Sequence, residues 1–193
     1  MATPARLIDV SHTVEHGMIT YKGLPAPVIC DFLSREASRA RYAPGTEFQI
    51  GKIEMVANTG TYIDSPFHRY AHGKDLAALP LTSLADLDCL VARVEPGQGR
   101  AIDRLPFRAD EVRGKAVLIH TGWDRHFGEP EYGSGAPYLT AQGAQYLIDA
   151  GAVLVGIDSV NIDDTESGGE RPAHSLLLGA GVHVVEHLTN LGA

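Results

Sequence analysis

No run of eighteen apolar residues occurs in the chain, so no segment reads as a membrane-spanning helix. The opening MATPARLIDVSHTV lacks the long apolar core of a signal peptide. Cysteine is scarce: Cys30 and Cys89 stand in unrelated contexts without CxxC spacing. Two reduced thiols in a cytoplasmic protein are therefore expected. Positive charge is in deficit as well. Sixteen Lys and Arg against twenty-four Asp and Glu leave a net charge of −8, which disfavours binding to a phosphate backbone and excludes nucleic acid as an expected partner. There is no internal repeat, no low-complexity tract and no Pro/Ser linker, so residues 1–193 are expected to form one domain.

What is present fits a globular chain with a substantial core: 44% hydrophobic and 21% charged residues. Strand candidates are RLIDV (6–10), the alternating EFQIGKIEMVA (47–57), the apolar KAVLIHT (115–121) and AVLVGID (152–158), and VHVVEHL (182–188). LTSLADLDCLVARVE (81–95) reads as a helical turn followed by a strand. Thr140 and Gly151 bracket a helix over about 141–149, Thr140 as N-cap and Gly151 as terminator. AHSLLLGAG reads as a second helix. Residues 16–27 and the long GWDRHFGEPEYGSGAPY segment read as loops. The order is α/β or α+β.

Nine histidines exceed what solubility or packing needs, a pointer to metal or acid–base work. Asp64 and His68 lie four residues apart in NTGTYIDSPFH, residues 58–68. In extended chain Tyr62 and Asp64 share a face, and Gly60 permits the sharp turn that lets Asn58 join them. His68, after the Ser-Pro turn, can fold back over Asp64. Pro66 is expected to prevent a helix across this stretch. Read alone, the stretch is better taken as a solvated turn with a capping Asp. The late segment RPAHSLLLGAGVHVVEHL adds His174 at a helix start and Glu186 inside an apolar strand. A carboxylate there is costly to bury without a metal or a cationic partner. The plainer alternatives are a helix-terminal histidine and a solvent-facing glutamate.

The motif resembles that of the cyclase-like amidohydrolase family, the group that includes bacterial kynurenine formamidase and isatin hydrolase. The family signature is His-x-Gly-Thr-His-x-Asp-x-Pro-x-His. Here Gly60, Thr61, Asp64, Pro66 and His68 match, while Asn58 and Tyr62 stand in place of two histidines. Asp9-Val10-Ser11-His12, the run Leu118 to Trp123, Gly156 to Ser159, and His174 with Glu186 also agree in order. The resemblance implies a layered or barrel-like β core with flanking helices, of the swivelling β/β/α type. It implies that Asp64 and Glu186 bridge two metals, that His174 completes one, and that the ligands of the other are those replaced by Asn58 and Tyr62. It gives His68 the part of general base and Tyr21 a substrate contact. Lys22-Gly23-Leu24 departs from the family's Pro-Gly-Asp, and relatives run on beyond Leu191, so a trimmed C-terminus is expected. Relatives are homodimers or homotetramers, and a homo-oligomer is expected here.

The two replacements change the chemistry. An amide oxygen and a phenol are poor zinc ligands. One position should thus be empty, leaving Asp64, His174 and Glu186 to hold one divalent cation, zinc or manganese, that activates water. The function expected first is hydrolysis of an amide or lactam bond in a small aromatic substrate, with Tyr21, Asn58, Tyr62 and Trp123 around it. Trp123 reads equally as a loop anchor. Two alternatives stay open: a metal-independent cyclase, lyase or isomerase using the same carboxylates, and a degenerate ligand-binding scaffold.

Overall fold

The computed structural model describes residues 6–94 and 99–193. They fall into two compact units, residues 13–60 and the segments on either side of them. Along the chain the elements are β1 (Val28–Leu33), α1 (Arg35–Ser38), β2 (Ile50–Glu54), β3 (Tyr62–Asp64), α2 (Pro66–Arg69), β4 (Cys89–Arg93), β5 (Ala101–Ile102), α3 (Ala109–Val112), β6 (Ala116–His120), β7 (Tyr138–Leu139), α4 (Ala141–Ala150), β8 (Leu154–Ile157), α5 (Pro172–Gly179) and β9 (His183–Glu186). Among the described residues no helix is long and apolar enough to cross a membrane.

In the larger unit five strands form one mixed sheet in the order β3-β9-β8-β6-β4. The pairs β4–β6, β6–β8 and β8–β9 are parallel, and β3 closes one edge antiparallel to β9. The apolar runs of β6 and β8 are what a parallel sheet covered on both faces requires. Val117, Ile119, Val155 and Ile157 are fully buried in one core with Leu147 of α4 and Leu177 of α5. The architecture is thus an α/β fold with a layered sheet whose edges are β3 and β4, the layered form of the two expected. The helix over 141–149 forms as read. Thr140 Oγ1 accepts from Gly143 N at 3.2 Å, and Gly151 adopts the left-handed conformation that ends it.

Two local expectations change, and one strand was not anticipated. Residues 6–10 make no strand; Asp9 Oδ1 accepts from Ser11 N at 2.9 Å, a local turn that competes with extended pairing, and only Ser11 bridges to Leu188. Pro66 does not exclude a helix. It is the first residue of α2, where its missing N–H is not needed. β1 was not legible, because Cys30 and Asp31 interrupt its apolar pattern. Glu95, the last residue of the 81–95 reading, lies outside the described residues.

The unit of residues 13–60 is built on an antiparallel ribbon of β1 and β2, with Ile29 opposite Ile53 and Cys30 opposite Lys52. Ser34 caps α1 by accepting from Ala37 N at 3.1 Å.

Candidate metal centre

β3 and β9 set the site. Their register places Tyr62 opposite Glu186 and Asp64 opposite Val184. Strand alternation then carries Tyr62 and Asp64 to the same face, and the Tyr62 hydroxyl donates to Glu186 Oε2. Ser65 and Pro66 turn the chain into α2. One helical turn brings His68 Nδ1 to 3.1 Å from Asp64 Oδ1. The first turn of α5 supplies His174, whose Nε2 stands 3.5 Å from Asp64 Oδ2 and 3.5 Å from Glu186 Oε1. Asp64, His68 and His174 each offer a ligand atom within 4.8 Å of the others. Asp64, His174 and Glu186 are buried, whereas His68 is exposed at the rim. Five of the residues singled out in the sequence therefore meet.

A second layer of residues holds them. His174 Nδ1 lies 2.7 Å from Asp163 Oδ2, and Asp163 also accepts from the backbone N–H of Ala173 (2.6 Å) and His174 (3.0 Å). A proton held at Nδ1 by Asp163 leaves the Nε2 lone pair aimed at Asp64 and Glu186, the arrangement common behind metal-ligating histidines. Glu186 Oε1 accepts from Ile162 N at 2.6 Å and Oε2 from Asn161 Nδ2 at 3.3 Å. Burial lowers the His174 pKa, but the Glu186 charge, the bond to Asp163 and the nearby Asp64 carboxylate outweigh it and raise it to about 10. Burial first, then the charge of Asp64, pushes the Glu186 carboxyl up against the pull of His174, Tyr62 and Ile162.

Two atoms in this arrangement test whether a cation fits. Asp64 Oδ2 and His174 Nε2 are buried without a hydrogen-bond partner. Leaving such atoms unsatisfied is expensive. The two 3.5 Å separations from His174 Nε2 are close to the spacing, about 3.4 Å, of neighbouring donors around an ion with bonds of about 2.1 Å, and the ligand atoms of Asp64, His68 and His174 all lie within 4.8 Å of one another. One imidazole with two carboxylates suits a borderline divalent cation. The residues fit the group.

The other candidates are Trp123, Tyr21 and Asn58. Trp123 Nε1 donates to Tyr132 O at 3.0 Å and its ring lies against His126, so the indole anchors the 122–138 loop. Tyr21 and Asn58 belong to the unit of residues 13–60, both half-buried.

Four contributors were not foreseen: Asn161, Asp163, Tyr132 and His187. Asn161 and Asp163 lie in the polar turn after β8, a composition that marks only a loop. His187, at positive φ, contacts the Tyr62 ring at 5.4 Å between centroids, and its Nδ1 lies 2.9 Å from Tyr132 Oη. Burial, then the nearby His12, lowers the His187 pKa to about 3, and burial raises that of Tyr132, so the imidazole is neutral and the phenol keeps its proton.

The profile of the Cyclase family matches residues 8–164. Kynurenine formamidase of Bacillus cereus is 28% identical over 190 residues, covering 94% of this chain and 81% of that protein. Kynurenine formamidase of Geobacillus thermodenitrificans is 32% identical over 153 residues, 78% of this chain and 70% of that protein. Among solved structures, a "predicted metal-dependent hydrolase" from Bacillus stearothermophilus superposes with a TM-score of 0.67 at 25% identity, over 94% of this chain and 81% of that one. Isatin hydrolase A from Labrenzia aggregata shares the fold with a TM-score of 0.73 at 20% identity, over 97% of this chain and 82% of that one.

Proposed function

The chain belongs to the Cyclase family, and from this we propose that it is a metal-assisted hydrolase of an amide or lactam bond in a small aromatic substrate, arylformamidase-like in its chemistry. The observation that carries the reading is the pair of orphaned buried atoms, Asp64 Oδ2 and His174 Nε2, converging with Glu186 Oε1. Asp64, His174 and Glu186 would hold one divalent cation, zinc or manganese. When bound, such an ion polarises a carbonyl and brings the pKa of a coordinated water down to about 7.

The remaining work falls to this chain's own side chains. His68 is the exposed imidazole of the set, with Nδ1 turned to Asp64, so Nε2 is the atom that takes a proton from the attacking water. As the water oxygen adds to the carbonyl carbon and the C–N bond breaks, His68 returns that proton to the departing amine. Glu186 is the less suitable base: three donors fix its two oxygens in a fully buried position. The Tyr62 phenol engages Glu186 Oε2, and Tyr62 and Asn58 offer a second cation only a phenol and an amide, so one metal per chain is the reading.

Elemental analysis and turnover of N-formyl aromatic amines test the reading together. One equivalent of zinc or manganese is expected in the wild type, lost in His174→Ala. In His68→Ala the metal should stay while kcat falls about a hundredfold or more. Metal lost with His68 would make that residue a ligand instead. Full turnover by metal-free protein would overturn the reading in favour of a metal-independent reaction, for which the His174 contacts to Asp64 and Glu186 already supply paired charges.

A further inference from the structure

The larger unit carries a second cavity, of about 250 Å³, lined by Asp103, Arg104, Leu105, Phe107, Gln142 and Tyr146. None of these residues belongs to the metal centre. The cavity lies between the chain that leaves β5 and the first turns of α4. Its walls are held by specific contacts. Thr140 N donates to Ile102 O at 3.1 Å, and Thr140 Oγ1 donates to Asp103 Oδ1 at 2.8 Å. Gly143 lets α4 come this close, since a Cβ there would lie 2.6 Å from Leu139 Cδ1 and 2.7 Å from Ile102 O. The Tyr146 hydroxyl donates to Phe107 O and ties α4 to the segment that follows β5.

The lining has two characters. Leu105 is buried, and Phe107 and Tyr146 are half-buried, so the interior is apolar. Asp103, Arg104 and Gln142 are exposed and give the cavity a polar rim. Among the described residues the Arg104 guanidinium makes no hydrogen bond and no ion pair. Arg108, four residues on, is by contrast paired with Asp110 at 3.0 Å. Asp103 uses Oδ1 for Thr140, which leaves Oδ2 open. A cationic and an anionic group thus stand available at the rim of one apolar cavity. A simple anion would meet the Asp103 charge and a simple cation the Arg104 charge, whereas a zwitterion complements both. Drug-sized ligands need about 300 Å³ or more, so the occupant is smaller, one ring with a short polar end.

We propose that this cavity binds a small aromatic amino acid. Its ring packs against Leu105, Phe107 and Tyr146, its carboxylate meets Arg104, and its ammonium meets Asp103 Oδ2 beside the Gln142 amide. A guanidinium matches a carboxylate through two parallel N–H donors, and ring-to-ring contacts add to the burial of the side chain. The proposal is independent of the hydrolytic reading, because it uses no residue of the metal centre.

Titration calorimetry of the full chain with L-phenylalanine tests this. Saturable binding at a single site per chain is expected, with Kd about 0.1 mM. Phenethylamine, which lacks the carboxylate, and phenylacetate, which lacks the ammonium, should each bind about tenfold more weakly. Arg104→Gln should bind phenylalanine no better than the wild type binds phenethylamine. Asp103→Asn, which keeps an acceptor for Thr140, should bind it no better than the wild type binds phenylacetate. Both positions are exposed, and circular dichroism verifies folding. Should either variant not fold, the three probes on the wild type still decide. An amino acid can also chelate a metal, so the titration is repeated on chelator-treated wild type and on His174→Ala, where Kd should be unchanged. Binding lost in both of these but kept in Arg104→Gln belongs to the metal centre and overturns the proposal. Equal affinity for the three probes overturns it too, as does the absence of saturable binding up to about 10 mM.

Discussion

A phenol at position 62 changes what the neighbouring carboxylate is free to do. Tyr62 donates to Glu186 Oε2, Ile162 N satisfies Oε1, and the glutamate is fully buried. Removing the hydroxyl leaves a buried charge short of one donor, so Tyr62→Phe should lower unfolding free energy by about 1–3 kcal/mol, read by urea denaturation of metal-free protein. Tyr62→His should instead leave stability nearer wild type and raise metal content above one equivalent per chain in elemental analysis. His174 yields a pH dependence. Its pKa in the metal-free fold is raised to about 10, above the ordinary 6.5, so at neutral pH a cation must displace a proton from it. Apparent metal affinity should therefore rise about tenfold per pH unit from near neutrality towards pH 10 and level off above it. Chelator competition across pH measures that slope; a flat profile would mean His174 is not a ligand. Asp64, His68, His174 and Glu186 were legible because each is a residue type that is costly or idle without a partner. Asp163 was not. An aspartate in a polar turn is the commonest of residues, and nothing in its sequence distance from His174 says that α5 begins on it.

At the scale of elements, the strands and helices with strong local signals formed where the residues direct them. β6 and β8 are short apolar runs, and α4 is bracketed by Thr140 and Gly151. β1 escaped notice because Asp31 and Cys30 stand in a ribbon exposed on both faces, where no burial pattern exists to be read. The loop from Asn161 to Glu166 shows how an irregular element gains rigidity. It contributes Asn161, Ile162 N and Asp163 to the site, and Arg100 grips its far end. The guanidinium reaches Asp164 Oδ1 at 2.5 Å, Glu166 Oε2 at 2.8 Å and Ala136 O at 3.2 Å. Exposed pairs contribute little to global stability. Their value here is positional, because the neighbouring Asp163 fixes the His174 ring. Arg100→Gln should therefore leave the thermal midpoint nearly unchanged yet weaken metal binding about tenfold, the lower end of what outer contacts are worth. Arg100→Lys should fall between, since an ammonium cannot fork to both acids. Chelator competition separates these outcomes from a general loosening, which would move the midpoint as well.

Across the larger unit, Asp64, His174 and Glu186 come from three places distant in sequence: the edge strand β3, the start of α5 and the end of β9. A cation held by all three would join the sheet edge to the helix layer. It would bind the folded chain and not the unfolded one, so it stabilises by mass action. At a free concentration a thousandfold above the dissociation constant this amounts to about 4 kcal/mol. For a chain of this size each kcal/mol moves the thermal midpoint by about 2–4 °C, so stripping the metal should lower it by about 10 °C. The loss should be concentrated where the ligands lie. Hydrogen exchange should accelerate first in β3 and the opening turn of α5. The β6–β8 centre, whose side chains pack with α4 and α5 in the apolar core, should stay protected until global unfolding. Asp64→Asn, which keeps the volume and removes the charge, should reproduce the lower midpoint and abolish its response to added zinc. A midpoint that does not move on chelation, with β3 equally protected in both states, would mean the three ligands are held by the fold alone and the cation contributes only to chemistry.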